Sequence, residues 1–214
     1  MNVLVQLLVT LAVLGAAVKL LLLNFWRAVL FISPGSARLL PESPDPDEPL
    51  PPALAPRAEE LRALGFVPLG VHREKPRFQA GTRSHDFVHP GERAFATLYL
   101  TAAGQPHLYL LTPLAPEGYV LTADHKRPGF ELAGRYRVEG VAGASPERLL
   151  RHHRERCQGL PGADDLSWER RLQVGRAWYQ GAGQREIRRQ NLQGLLWTLV
   201  ALAIVLLLFI PRGK

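Results

Sequence analysis

Residues 191–210 read NLQGLLWTLVALAIVLLLFI and carry no charged side chain. In an α-helix the nineteen residues from Leu192 onward extend about 28 Å, close to the ~30 Å hydrocarbon core of a bilayer. Core helices of soluble proteins rarely lack a polar face over this length. Trp197 lies one to two turns inside the stretch, where interfacial aromatic residues are common. We therefore predict a C-terminal transmembrane helix over residues 191–211.

A second apolar stretch covers residues 3–23 and contains a single charge, at Lys19. Lys19 stands one turn from the end of this stretch, where a long basic side chain can snorkel to the headgroups. Trp26 and Arg27 follow, as in an interfacial belt. A cleaved signal peptide would need a basic region before the apolar core and small residues after it, and the chain has neither pattern. We predict an uncleaved anchor with an interfacial extension over residues 1–32.

The basic residues beside the two apolar stretches predict their orientation, because lysine and arginine near the ends of membrane spans favour the cytoplasm. The outer flanks carry Arg212 and Lys214. The inner flanks carry more, namely Lys19, Arg27, Arg38, Arg176, Arg185, Arg188 and Arg189. We expect a two-span membrane protein with a cytoplasmic central part and both termini outside.

Composition narrows the classes of partner. The 214 residues have a formal net charge of +7, from 22 arginines and 4 lysines against 19 acidic residues. Such an excess suits anionic lipid or nucleic acid, and the two apolar ends make lipid the nearer anion. We expect anionic headgroups as a partner and no nucleic acid. The single cysteine, Cys157, excludes a disulfide within the chain.

The segment after the first anchor is dominated by proline and acid. Its part PESPDPDEPLPPALAP (41–56) holds seven prolines and four acidic residues. Proline removes a backbone donor and fixes φ, so this density prevents a helix or a central strand. We predict an extended linker over residues 33–56, followed by a cytoplasmic α+β domain over residues 57–160.

Alternating apolar residues predict strands in this domain. FATLYLT (95–101) and HLYLLT (107–112) flank a five-residue link with Gly and Pro, which is typical of a hairpin. YVLT (119–122) and RYRVEGV (135–141) extend the set, whereas residues 72–94 show no clear period and indicate an irregular excursion. The predicted fold class is α+β: a small antiparallel sheet with a solvated face and two or three packed helices, flanked by the N-terminal and C-terminal transmembrane helices.

Two helices are predicted after the strands. SPERLLRHHRERC (145–157) has Ser145 as its N-cap and Pro146 in the first helical position. LSWERRLQVGRAWYQ lies within residues 161–190, which we interpret as a basic juxtamembrane arm. Its arginines and aromatic residues suit anionic headgroups.

Histidines supply the candidates for metal chemistry. His85 and His89 stand four residues apart in SHDFVHPGE. On a helix this spacing would place both imidazoles on one face, as zinc sites require. The Pro90-Gly91 pair instead favours a loop, and no third ligand is evident. We interpret them as surface-loop histidines, with His85 and His89 kept as metal candidates, and we predict no cofactor.

A second candidate combines His153 and Cys157, which lie one helical turn apart and could form a nucleophile pair. Their face also carries Leu149 and Leu150, which favours core packing. No motif predicts a catalysed reaction. We expect a non-enzymatic protein whose cytoplasmic domain binds or positions a partner, as an accessory subunit of a larger membrane complex or as a homo-oligomer. The alternatives are a membrane-surface enzyme or metal-binding protein that uses the His85–His125 region, and a ligand-sensing module.

Overall fold

The computed structural model describes residues 3–76, 80–132, 135–181 and 183–209. Its helices are α1 (Val3–Ile32), α2 (Ala55–Ala63), α3 (Pro146–Cys157), α4 (Trp168–Gln180) and α5 (Gly183–Phe209). Its strands are β1 (Arg38–Ser43), β2 (Val67–Lys75), β3 (Thr82–His89), β4 (Ala94–Leu100), β5 (Pro106–Pro113), β6 (Tyr119–Ala123), β7 (Phe130–Leu132) and β8 (Tyr136–Gly140). The chain divides into two compact units, a helical unit (Met1–Ala37 with Gly183–Lys214) and a sheet unit (Arg38–Ala182).

The helical unit pairs α1 with α5. The buried residues of α5 recur with a seven-residue repeat, and this repeat keeps one stripe of a helix in contact with its neighbour. A Cβ added to Gly194 would collide with the side chain of Arg27, so glycine permits close contact here. Arg27 also donates a 2.9 Å hydrogen bond to the carbonyl oxygen of Gln190. The buried stripe consists of Ile187, Asn191, Gly194, Thr198 and Ala201.

Both helices of this unit are long and apolar enough to span a membrane. The outward faces expose leucine and valine along most of their length. Polar side chains inside the pair are satisfied by their own helix, since Asn191 donates to the carbonyl of Ile187 and Thr198 to that of Gly194. The expectation of two terminal apolar helices is confirmed. Pro211, Arg212 and Lys214 lie outside the described residues.

The sheet unit contains one eight-stranded sheet in the order β1-β2-β3-β4-β5-β6-β8-β7. Neighbouring strands are antiparallel except β6 and β8, which pair in parallel. The hairpin predicted from residues 95–112 is present, with Thr97 opposite Tyr109. The antiparallel character of the sheet is confirmed, but the sheet is larger than the small one predicted.

Two structural corrections explain the difference in size. Residues 72–94 are not an irregular excursion, because β2 and β3 pair across Val71 and His85. Several of their polar side chains, including His72, Ser84 and Asp86, are buried, and this hides the apolar alternation by which strands are recognised in a sequence. In the predicted linker 33–56, Arg38–Ser43 forms edge strand β1, where a proline at position 41 is tolerated.

Helices pack on both faces of the sheet, so the expected solvated face is wrong for β4 and β6, whose described residues are almost all buried. One apolar cluster joins the sheet to α2 and α3 and includes Leu61, Phe66, Phe87, Leu98, Leu110 and Leu149. The opposite cluster includes Phe95, Leu111, Tyr119, Leu121, Val138 and Val174 of α4. Thus α4, predicted as part of a basic arm in residues 161–190, belongs to the core of the sheet unit.

Helix α3 forms as predicted, and Ser145 caps it by accepting a 3.3 Å hydrogen bond from the Arg148 amide. His153 on its inner face is buried between two threonines. Its Nε2 lies 2.9 Å from the Thr112 hydroxyl and its Nδ1 lies 2.9 Å from the Thr122 hydroxyl. Burial lowers the pKa of His153 to about 3, and the charges of Arg156 and His152 add to the effect.

This burial predicts a loss of stability in mild acid. Below its ordinary pKa of about 6.5, His153 takes up a proton in the unfolded chain but not in the folded one, so stability falls as pH drops from 6.5 toward 3. At pH 5.5 the linkage costs on the order of 1 kcal/mol, which corresponds to a few degrees in Tm. We expect His153→Gln to show a smaller Tm difference between pH 7.5 and 5.5 than the wild type, measured by thermal unfolding of the full chain in detergent.

The neighbouring His152 is the matched control, because it is half-exposed and pairs with Glu139 at the surface. His152→Gln should keep the wild-type pH dependence. An unchanged pH dependence in His153→Gln would contradict the assignment of a buried neutral imidazole.

Candidate functional site

A buried ion pair lies between the sheet and α4. Arg171 of α4 is 1% exposed, and its Nε donates a 3.0 Å hydrogen bond to Oδ1 of Asp86 on β3. Its terminal nitrogen Nη2 donates to the hydroxyls of Thr97 (3.0 Å) and Tyr109 (2.6 Å). Thr97 in turn donates to Asp86 at 2.6 Å. The guanidinium therefore has a bound partner on each strand from β3 to β5.

Asp86 also contacts His72, which forms a second pair of ionisable side chains with Glu74 on β2. Nδ1 of His72 lies 2.5 Å from Oδ2 of Asp86, and Nε2 lies 3.4 Å from Oε1 of Glu74. The hydroxyls of Tyr109 and Tyr179 donate to Glu74 at 3.3 and 2.8 Å. We call this set the charge network: two cations and two anions, whose formal charges cancel when His72 is protonated.

The pKa directions agree with that balance. Burial disfavours the charged form of Asp86, but Arg171 and His72 outweigh it and hold its pKa below the usual range. Burial acts in the same way on Glu74, and His72 and Tyr179 lower its pKa to about 2. For His72, burial favours the neutral ring, yet Asp86 raises the pKa above its ordinary value. Buried ionised groups persist only when paired in this manner.

A cavity of about 150 Å³ adjoins the charge network. A pocket of this volume accommodates a molecule of about the size of benzene. Arg127, at its wall, lies over the Trp178 ring with 5.4 Å to the centroid. Aromatic and charged side chains line most of it: Glu74, Tyr99, Tyr109, Tyr119, Arg127, Arg171, Trp178 and Tyr179.

The two predicted metal candidates do not come together. His85 and His89 both lie on β3, where four residues separate their Cα atoms by about 13 Å, so they do not share an ion. His85 is buried, and burial is the main cause that lowers its pKa. His89 packs edge-on against Phe66 and accepts a 3.2 Å hydrogen bond from the Glu92 amide. The interpretation as loop histidines is wrong, because the segment is a central strand.

Another group of metal-ligating side chains does assemble, at the ends of β5 and β6. Nδ1 of His107 lies 3.0 Å and Nδ1 of His125 lies 3.4 Å from Oδ1 of Asp124. Among the described residues, this is the one group in which three or more His, Cys, Asp or Glu side chains bring their ligand atoms close enough together to hold an ion. His107 is 17 and 18 positions away from the adjacent pair Asp124 and His125, so local spacing does not reveal the group.

The candidate nucleophile pair is not activated. Both ring nitrogens of His153 are engaged by threonines, and burial raises the pKa of the Cys157 thiol above its ordinary value. A thiolate, rather than a thiol, would be required for attack. The face that these residues share is core, as predicted.

The residues predicted for the membrane interface lie on α1 and α5. Arg27 is half-buried because it packs against Gly194, and Trp26 is half-buried beside it. The other five are exposed: Lys19, Arg185, Arg188, Arg189 and Trp197.

Comparison with protein-family models, with curated proteins and with solved structures finds no match to this chain.

The charge network was missed by sequence reasoning. Arg171 stands among many arginines and has no local signal that marks it as buried. A signal does exist on the strands, because His72 and Glu74, like Ser84 and Asp86, are two residues apart and so point to the same face. Two polar pairs at this spacing indicate polar side chains directed into the fold.

Removal of the Arg171 guanidinium should be strongly destabilising, because it leaves Asp86 charged and buried without its main partner. We expect Arg171→Met to cost about 3–5 kcal/mol, or on the order of 10 °C in Tm. Arg176→Met is the matched control on the same helix, since Arg176 is exposed and its Nε donates to the Leu39 carbonyl rather than to a buried carboxylate.

The control should cost less than about 1 kcal/mol. Thermal unfolding of both full-length variants measures the difference. Adding Asp86→Asn to Arg171→Met should recover part of the loss, because the unpaired charge is then absent. Equal Tm values for the two single variants would contradict the role given to the ion pair.

Proposed function

We propose that this chain is a two-span membrane protein that is not an enzyme, and that it serves to bind and position a partner protein. The observation that carries the proposal is the helical unit: two helices of 30 and 27 residues with exposed apolar faces. Exposing such apolar faces to water has an unfavourable free energy, and a lipid environment removes this cost. The sheet unit is the soluble part that the helices anchor.

The side-chain chemistry of the described part supports a non-enzymatic role. The carboxylates of the charge network are held ionised by Arg171 and His72, His153 is a neutral core residue, and Cys157 is a thiol. A general acid or base needs a pKa near the working pH. The paired groups of the charge network instead suit a structural role.

The proposed orientation places the sheet unit in the cytoplasm and both termini outside. Supporting it, Arg185, Arg188 and Arg189 are exposed on the first turns of α5, where they suit anionic headgroups of the cytoplasmic leaflet. Arg27 lies at the same end of the helix pair, since it contacts Gln190 and Gly194.

The orientation is tested by thiol labelling with a membrane-impermeant maleimide. Cys157 itself is a poor reporter because burial raises its pKa, so it is replaced by serine. Ala103→Cys, in the exposed turn between β4 and β5, should label only after the membrane is permeabilised. Gly213→Cys in the same background should label in intact cells or spheroplasts. The opposite pattern reverses the topology.

A lysine in the apolar part of α1 supports a partner within the membrane. Because Arg27 lies against Gly194 and the two helices pack antiparallel, Lys19 is about level with Leu202. If Leu192 marks one edge of the hydrocarbon core, Leu202 and Lys19 lie about 15 Å deep, near the bilayer centre, rather than at the interface that the N-terminal stretch alone predicts for Lys19. Lys19 is exposed on the helix pair, and a lysine at this depth costs about 2.5–3.5 kcal/mol unless it is paired.

The acid that would pair with Lys19 must come from another protein. Within α1 and α5 the only acidic residue is Glu186, which is buried near the end of α5 and far in depth from Lys19. A second copy of the chain therefore offers no carboxylate at the required level. A membrane helix with an Asp or Glu near the bilayer centre has the complementary charge.

Co-purification tests this partner. The tagged full-length protein is isolated from its native membrane in mild detergent, and the proteins that accompany it are quantified by mass spectrometry. We expect a stoichiometric membrane protein with the wild type and with the control Lys19→Arg, and about tenfold less of it with Lys19→Leu, which removes the charge. Equal recovery with Lys19→Leu, or a chain recovered alone, would overturn the proposal.

The cavity favours a second candidate function, the sensing of a small ligand. Its aromatic walls and its ionised groups, Glu74 and Arg171, would suit a small amphipathic molecule. Release of a stoichiometric small molecule from the purified chain upon denaturation, without a co-purifying protein, is the result that favours this alternative.

A further inference from the structure

We propose that His107, Asp124 and His125 form a binding site for a divalent transition metal, with Zn²⁺ as the ion that fits best. The distances of 3.0 and 3.4 Å from the Asp124 oxygen to the two imidazole nitrogens match the edges of a coordination tetrahedron. Bonds of about 2.0–2.1 Å to nitrogen and oxygen give ligand separations of about 3.3–3.4 Å. All three ligand atoms lie within 4.8 Å of one another.

The backbone holds the ligands in place. The Asp124 amide donates to the Leu108 carbonyl at 2.9 Å, and the Asp124 carbonyl accepts from the Gly143 amide at 2.8 Å. A Cβ added to Gly140 would collide with the carbonyl of His125, so strand β8 approaches this residue closely. Three ligands supplied by rigid strand ends need little reorganisation when an ion binds.

The donor set selects the class of ion. Two imidazoles and one carboxylate suit Zn²⁺ or a similar first-row ion, whereas Mg²⁺ and Ca²⁺ prefer oxygen ligands alone. The carboxyl of Asp124 is nearly buried, and burial opposes its charge, but the nearby His125 ring, the Leu108 amide and His107 keep its pKa below the usual range.

Access and charge set the expected strength. The side chains of His107 and His125 are each 28% exposed, which gives an ion access from solvent, although Nδ1 of His125 is itself buried. Arg57 opposes cation binding, because its guanidinium lies 4.0 Å from the second oxygen of Asp124. Neutralising Arg57 should therefore tighten binding.

The test is titration of the full-length protein in detergent with Zn²⁺ by calorimetry, on a chain without a histidine tag, with Co²⁺ absorption as a second readout of four-coordinate geometry. We expect one Zn²⁺ per chain. His107→Gln and Asp124→Asn should each weaken binding by about tenfold or more, and Arg57→Gln should tighten it by about threefold. Thermal unfolding checks that each variant is folded.

His152→Gln is the matched control, since His152 lies beside Glu139 and Glu155 on α3 and offers the alternative surface site. It should bind Zn²⁺ as the wild type does. Failure of the wild type to bind one ion, or wild-type binding by folded His107→Gln and Asp124→Asn, would overturn the proposal. The outcome is independent of the membrane partner, which the co-purification with Lys19→Leu decides.

Discussion

The ion pair between Arg171 and Asp86 is the interaction on which the sheet unit most depends. Moving two charges out of water is costly, and the cost is offset here because Nε and one terminal nitrogen of Arg171 donate hydrogen bonds and both oxygens of Asp86 have partners. The pair links α4 to the third, fourth and fifth strands at once. Without this pair, α4 would no longer cover the apolar cluster around Val174. The carboxylate of Asp86 would then stay buried without its cation on α4.

Charge balance also explains why the sequence pattern of β2 and β3 does not predict strands. Their inward residues include His72 and Asp86, which are polar yet as buried as the apolar residues of β4, and the half-buried Glu74. The network thus replaces part of the hydrophobic core with hydrogen bonds. Such a core loses stability when a single member is removed, because the remaining charges stay buried.

In the helical unit, buried polar side chains are hydrogen-bonded in a different way. Asn191 and Thr198 satisfy their side chains on carbonyls of their own helix, and Gly194 lets α1 approach closely. Lys19 is the exception, since it faces outward along an apolar helix. The small residues Gly15 and Gly194 look equivalent in the sequence, but a Cβ at Gly15 would meet nothing, so only Gly194 is used for packing.

The sequence by itself determined the two apolar helices, the hairpin of β4 and β5, the strand at Tyr119 and the capped helix α3. Each depends on local features, namely a long uncharged run, a period of two, or a cap followed by proline. The tertiary structure alone decided the burial of Arg171 and the meeting of His107, Asp124 and His125. Those arrangements depend on strand pairing between distant segments, which brings together side chains whose spacing along the chain carries no signal.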